Sequence, residues 1–403
     1  METAASQFVV ALDVGSSRTR CLIAQLAGDD VQIVGCGEET SRGVRRGEVV
    51  DLPAARYTVH RAVAEAESTA GLEIQTLFLT AGSRHVRFVN NRACIGITRE
   101  ERTVTGKDVR NVLASARRVT LPDDAMPIGT PACSFAVDDV RQVREPEGMR
   151  GTRLEAEVHV ITDARTITEN LAACLDPDER EVEEYVFAAF AAGEAVLEDD
   201  EKTLGAAVID LGAGTTRLMV YRDGAPVFSS VVPLGGDHIT SDIAVGMDLA
   251  LADAARLKED HASVAPRRAE RPVTFKRLGK SALYSVDPRR LHAIVDCRVR
   301  EILDIVRREL MRAAVRPASL RAVLTGGASR LPGIDTLAAT RLGCPTRLGR
   351  PRALAPASDG MGPEMSAALG LLALGQAARR RQAAPADFGN PARRLLDWVK
   401  QRF

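Results

Sequence analysis

Apolar positions along the chain recur with two periods, and each change of period marks an element. Val9 to Val14 is a short β-branched run, and Arg20 to Leu26 resumes the apolar pattern with no helix-length segment between them. This predicts a hairpin whose turn carries Asp13, Gly15, Ser16 and Ser17. The same arrangement returns in AAVIDLGAGTTRLMVYRDG, residues 206–224, with Asp210, Gly212, Ala213, Gly214, Thr215 and Thr216 in the turn. A third apolar run, in RAVLTGGASRLPGI (321–334), predicts a strand that ends at Gly326 and Gly327, followed by Ala328. Between these segments the spacing turns helical. Residues 53–71 carry Ala and Val at helical intervals and end on a Gly suited to a C-cap, and a strand is predicted from Thr76 to Ala81. Residues 237–262 predict one or two helices. From Pro288 a long amphipathic helix is expected, with Leu291, Ile294, Val295, Val299, Ile302, Leu303, Ile305, Val306 and Leu310 at near-3.6 spacing facing a core.

The polar residues in the turns suggest chemistry. Gly15 allows close approach of a ligand to the backbone, and Ser16 and Ser17 add hydroxyl and amide donors that can hold phosphate oxygens. Asp13, at the strand's end, can hold a hydrated Mg2+. One such turn is equally an ordinary hairpin. Two copies half a chain apart point instead to two related lobes facing one phosphate chain, with Asp13 and Asp210 on either side of a shared metal. A lone Gly-Gly is a plain strand-to-helix turn. Following two such hairpins, Gly326 and Gly327 offer flat access to a base or ribose. His238 and Asp242 lie one turn apart on an expected helix, but with no third ligand they read as a cap or a surface pair rather than a metal site. His159, within EVHVIT, reads as a strand residue facing a neighbour.

These three segments resemble the phosphate-1, phosphate-2 and adenosine motifs of the ATPase superfamily of actin, heat-shock chaperones and sugar kinases. Within it the chain resembles the FtsA family of bacterial cell-division proteins, through SRGVRRGEVVDL (41–52), EPEGMRGTRLEAEVHVIT (145–162), VVPLGGDHITSDIAVGM (231–247) and TGGASRLPGI (325–334). The resemblance implies an α/β, actin-like two-lobed ATPase fold made of ribonuclease H-like repeats, with an inserted subdomain and a C-terminal amphipathic helix. It divides the chain into a first lobe (1–84), an inserted subdomain (85–162), the first lobe continued (163–203) and a second lobe (204–236). A subdomain facing FtsZ (237–300), the second lobe continued (301–355), a return to the first lobe (356–377), a linker (378–390) and a terminal helix (391–403) complete it. It also implies ATP and Mg2+ as ligands, with Lys258 at the nucleoside. The partners it implies are FtsZ, further copies of the chain, later division proteins and anionic inner-membrane lipid. The expected place is the cytoplasmic face of the inner membrane at the division site. A kinase or chaperone ATPase and a pilus-assembly relative are the alternatives.

Several positions depart from the family's pattern. Ala188 and Ala189 stand where relatives carry Glu-Pro, a Glu that helps position attacking water in the wider superfamily. The family's AERIK reads AARLK here, with Ala255 for Glu and Lys258 kept, and the second turn has Ala213 for Gly and Arg217 for Asp. Loss of a group that orients the nucleophile costs on the order of 10²-fold in rate. ATP binding with slow or absent turnover is therefore expected.

Composition changes the picture only at the end of the chain. The 403 residues are 45% hydrophobic, and Lys plus Arg balances Asp plus Glu at 54 each, so no global field recruits nucleic acid. Seven scattered cysteines without a C-x-x-C pair suggest reduced, cytoplasmic thiols and no zinc site, and METAASQ has no secretion-signal pattern. The Ala, Arg, Gln and Pro-rich stretch GQAARRRQAAPADFGN reads as a flexible linker. Beyond it, PARRLLDWVKQRF places Leu395, Leu396, Trp398, Val399 and Phe403 on one helical side, with Arg393, Arg394 and Lys400 on the other. Such a helix suits reversible insertion at a membrane interface.

Overall fold

The computed structural model describes residues 8–28, 30–175, 180–265, 273–276, 283–313, 319–352, 354 and 360–383. Strand β1 (Phe8–Val14) turns into β2 (Arg18–Ala27), and β3 (Asp30–Thr40) follows. The short pair β4 (Val44–Arg45) and β5 (Glu48–Val49) leads to helix α1 (Leu52–Ala70), after which β6 (Thr76–Ala81) returns to the sheet. Helix α1 lies where its spacing predicts. Asp51 accepts from the Ala54 N–H at its start, Pro53 fills its first turn, and Gly71 ends it with a φ of 67°. Successive residues of β1 are buried, so both faces of this strand are covered. Strand β3 meets α1 backbone to backbone: a Cβ on Gly37 would stand 1.9 Å from the Ala62 carbonyl oxygen.

The chain then leaves this sheet to build another, from β7 (Arg87–Gly96), β8 (Ala125–Gly129), β9 (Ala132–Val137), β10 (Val140–Val143) and β11 (Arg153–Ala164), covered by α2 (Gly106–Arg117). Thr105 and Asp108 cap α2 reciprocally, and Val112, Val137 and Leu154 form its small core. This inserted unit is tied to the first lobe by Ser83, whose N–H and hydroxyl donate to Asp163 at 2.7 and 2.6 Å. Strand β11 runs two residues past the expected boundary at 162. Helix α3 (Arg165–Ala172), strand β12 (Glu181–Phe187), helix α4 (Ala188–Val196) and helix α5 (Asp199–Leu204) follow, and β12 joins β6 in parallel.

The second lobe repeats the first. Strands β13 (Ala206–Leu211), β14 (Thr216–Arg222) and β15 (Ala225–Val232) precede α6 (Gly236–Met247), α7 (Leu251–His261), the hairpin β16 (Val273–Lys276) and β17 (Leu283–Val286), and α8 (Pro288–Arg312). Then come β18 (Arg321–Thr325), α9 (Ile334–Leu342), β19 (Thr346–Leu348) and α10 (Ser366–Ala383). Among the described residues the first sheet has the order β12-β6-β1-β2-β3 and the second β19-β18-β13-β14-β15. In each, the central strand pairs antiparallel with the next strand in sequence and parallel with a later one. Ile209, Leu218 and Val220 face the helices of the second lobe, while Val208, Met219 and Tyr221 join the core of the first. The Ala-rich α4 packs against α10 closely enough that a Cβ on Gly370 would stand 1.7 Å from the Ala191 carbonyl oxygen.

Three further expected boundaries shift or fall outside these residues. The division at 300 falls inside α8, because its apolar spacing runs unbroken from Leu291 to Leu310 with no Gly or Pro to stop it. Residues 378–383, expected in a linker, belong to α10, which continues through Ala383. Ala, Gln and Arg are good helix formers, and Arg379 is paired with Glu183 of β12 at 2.6 Å. The terminal helix with Arg393, Arg394, Leu395, Leu396, Trp398, Val399, Lys400 and Phe403 lies outside the described residues.

Candidate functional site

The two turns are tight for the same reason. Gly15 donates its N–H to the Arg18 carbonyl and Gly212 donates to the Thr215 carbonyl, both at 3.0 Å. They also meet each other. A Cβ on Gly214 would stand 2.6 Å from Ser16 Oγ and 2.8 Å from Arg46 N, so the second turn touches the first lobe without an intervening side chain. The start of α6 locks the second turn: Gly236 and Asp237 donate their N–H groups to the Gly212 and Ala213 carbonyls at 3.0 and 2.9 Å.

The Gly326 segment closes the same cluster. Gly326 has a φ of 82°, and a Cβ there would stand 2.3 Å from Asp210 Oδ1. One on Gly236 would stand 3.5 Å from Ala328 Cβ and 3.6 Å from Lys258 Nζ. Gly327 approaches only Glu364. Thus Ser16, Asp210, Gly212, Gly214, Lys258, Gly326 and Ala328, chosen from three distant segments and one helix, converge. Ser17 is exposed, and its carbonyl accepts from the Ser41 N–H at 2.9 Å. Thr215 is buried. Thr216 does not serve the turn with its hydroxyl, which donates to the Leu234 carbonyl at 2.8 Å and ties β14 to the segment before α6.

Charge in this cluster is arranged around two aspartates. Asp13 accepts from the Thr80 hydroxyl at 2.7 Å. Asp210 is buried, and burial pushes its carboxyl upward; Arg217 opposes that shift and the charge of Asp13 adds to it. Arg217 donates from Nη1 to Asp210 Oδ2 at 3.4 Å and from Nε to the Gly82 carbonyl of the first lobe at 3.2 Å. Lys258 donates to Thr240 Oγ1 at 2.9 Å and to the Gly236 carbonyl at 3.3 Å. Burial pushes its ammonium downward while Asp237 holds it up. His238 caps α6, its Nδ1 accepting from the Gly235 N–H at 3.1 Å, and its Nε2 lies 3.2 Å from Arg46 Nη2. Asp242 is turned to Arg298 instead, so the two residues share no ligand position.

The expectation that Asp13 and Asp210 share a hydrated Mg2+ does not fit this donor set. A guanidinium already stands at Asp210, with Arg217 Nη1 3.4 Å from Asp210 Oδ2. Four participants escaped the sequence reading: Arg20, Arg46, Thr80 and Gly82. A signal for two of them exists, since LTAGSR (79–84) echoes LTGGASR (324–330) as a third internal repeat.

Comparison with known proteins bears on the family and the fold. The profile described as "Cell division protein FtsA" matches residues 207–370, and that described as "SHS2 domain inserted in FTSA" matches residues 83–162, the inserted sheet. The cell division protein FtsA of Pseudomonas aeruginosa is 32% identical over 376 residues, covering 92% of this chain and 89% of the relative. That of Neisseria meningitidis is 34% identical over 373 residues, with 91% and 89% covered. Among solved structures, the PilM-PilN type IV pilus biogenesis complex matches with a TM-score of 0.63 at 17% identity, over 91% of this chain and 98% of that one. MreB5 of Spiroplasma citri bound to ADP matches at 0.56 and 12%, over 94% and 100%. These structural likenesses show the actin-like ATPase fold. Sequence identity over most of the chain shows more: this chain belongs to the FtsA family of cell division proteins, and its role lies in cell division.

Proposed function

We propose that the chain is an ATP-binding actin-like protomer that polymerises, holds FtsZ at the cytoplasmic face of the inner membrane and recruits later division proteins. The observation that carries the reading is the direct approach of Ser16 and Gly214, which brings the two phosphate-type turns together where the lobes meet. Backbone N–H groups and hydroxyls of Gly15 to Ser17 and Gly212 to Thr215 would hold the phosphates, and Lys258 with Gly326 to Ala328 the nucleoside. A fold neighbour, MreB5, is bound to ADP, which supports a nucleotide as the ligand.

Turnover is slow or absent in this reading. Ala188 and Ala189 open α4 as buried apolar residues, so the position where the family resemblance implies a Glu offers no group to orient water. A brisk phosphate release from the purified chain would contradict this. For FtsZ we assign the face of residues 237–300, where a groove between α6 and α8 is lined by Val245, Gly246 and Ile294, with Val245 85% exposed. Among the described residues no helix is long and apolar enough to cross a membrane. Attachment is assigned, on their amphipathic sequence pattern, to Leu395, Leu396, Trp398, Val399 and Phe403, aided by Arg393, Arg394 and Lys400. One such helix binds anionic lipid weakly, and many copies in a filament bind firmly. The pilus-type alternative draws only on fold likeness at 17% identity.

A fluorescent fusion in dividing cells tests the assembly. The full chain is expected in a midcell band that becomes diffuse when residues 391–403 are removed. A uniform cytosolic signal from the full chain would overturn the reading.

A further inference from the structure

The two hairpins place an arginine at the same point. Arg20 lies across the strand pair from Asp13, and Arg217 lies across from Asp210. What each arginine does is decided by the next strand over. On β3 the residue opposite Arg20 is Glu38, and Arg20 Nε donates to it at 2.6 Å, turning away from Asp13. On β15 the residue opposite Arg217 is Val231, which offers no charge. Arg217 therefore turns to Asp210 and reaches the Gly82 carbonyl across the seam. Its side chain is only 12% exposed, and Gly82 leaves room for it, since a Cβ there would stand 3.4 Å from Arg217 Nε and 3.0 Å from the Phe187 ring.

We propose that Arg217 is a built-in counter-cation, so that nucleotide binds this cleft without a divalent metal. The inference rests on the nucleotide reading above. A cation near the phosphates normally serves to neutralise the anionic chain and the carboxylates that face it. Arg217 already neutralises Asp210, and a guanidinium has five N–H donors in a planar fork, of which Nη1 serves Asp210 and Nε serves Gly82. The remaining donors suit a phosphate oxygen. One residue of this chain thus carries the charge that a hydrated Mg2+ was expected to bring.

The test is the equilibrium affinity for ATP, measured by calorimetry on the full chain in excess Mg2+ and again in excess EDTA. The wild type is expected to bind in both buffers with affinities within about threefold of each other. Arg217→Asp puts a carboxylate in place of the guanidinium, and its affinity is expected to drop at least about tenfold on removing Mg2+, which is 1.4 kcal/mol. Val231→Glu recreates on β15 the acidic neighbour that Arg20 has on β3. It draws Arg217 off Asp210 and is expected to introduce the same Mg2+ dependence, which decides the matter if Arg217→Asp does not fold. A merely structural arginine would change overall affinity or melting temperature without changing the ratio between the two buffers. A wild type that loses tenfold or more in EDTA overturns this inference and leaves the nucleotide reading standing. No ATP binding in either buffer overturns both.

Discussion

In the first lobe the outer strand β3 lies so close to α1 that only glycine fits at position 37, and it carries Glu38 to hold Arg20. In the second lobe the outer strand β15 stands off α8, joined to it by a hydrogen bond from Ser230 to Glu309 at 2.6 Å, and carries Val231 where Glu38 would be. The inner strands of the two lobes share their pairing, the Asp-x-Gly turn and the arginine opposite the aspartate, and the outer ones do not correspond in this way. The inner strands face the shared seam, where both lobes must present the same kind of turn. The outer strands meet different neighbours, and one substitution there redirects a charge at the seam.

The largest expected effect breaks the tighter of the two outer strands. Gly37→Val drives a side chain into the backbone of α1 and is expected to cost more than about 3 kcal/mol, read as a large fall in the urea midpoint. The next concerns the other outer strand, on which the inserted unit docks: His159 Nε2 lies 2.7 Å from Ser229 Oγ, its Nδ1 lies 2.5 Å from Asn90 Oδ1, and Phe88 packs edge-on against Phe228. Burial pushes His159 down to about 4 from 6.5, so the unfolded chain takes up a proton that the folded one refuses between those values. Stability is then full above pH 6.5 and falls as the pH drops towards 4, by up to about 3 kcal/mol. Thermal melts at pH 7 and pH 5 should show the loss, and His159→Gln should flatten it. A wild-type stability that does not change with pH would refute the docking account.

Ser230→Ala comes third. It removes a hydrogen bond to a half-screened carboxylate and is expected to cost about 1 to 2 kcal/mol, measured by the same melts. Smallest is Glu38→Gln. Its ion pair with Arg20 is 41% exposed on the Glu side, and its loss is expected to cost less than about 1 kcal/mol. A larger cost would mean that Arg20 is held for a purpose at the seam and that the two lobes are more alike than described.

Much of this was legible in the sequence because local rules and tertiary demands coincide in the strands, the hairpins and α1. The Asp-x-Gly turns are short-range features, and Asp51, Pro53 and Gly71 announce the ends of α1. The length of α10 was missed since Arg379 is stabilised by Glu183, 196 residues away, which no local composition reveals. Thr216 was assigned to the ligand because a hydroxyl beside a turn says nothing of the Leu234 carbonyl that takes it. The role of Arg217 needed the strand register, since its partner depends on what stands opposite it on β15.

The central claim is that one nucleotide lies in the seam where the two turns touch. Calorimetric titration of ATP into the wild type and into Gly214→Val tests it, with Gly96→Ala, where a Cβ meets nothing within 4 Å, as control. The account predicts one site per chain in the wild type and in Gly96→Ala, and at least about a hundredfold weaker binding, 2.7 kcal/mol, in Gly214→Val, whose side chain forces the turns apart. Equal affinity in folded Gly214→Val, or no binding by the wild type, would contradict it.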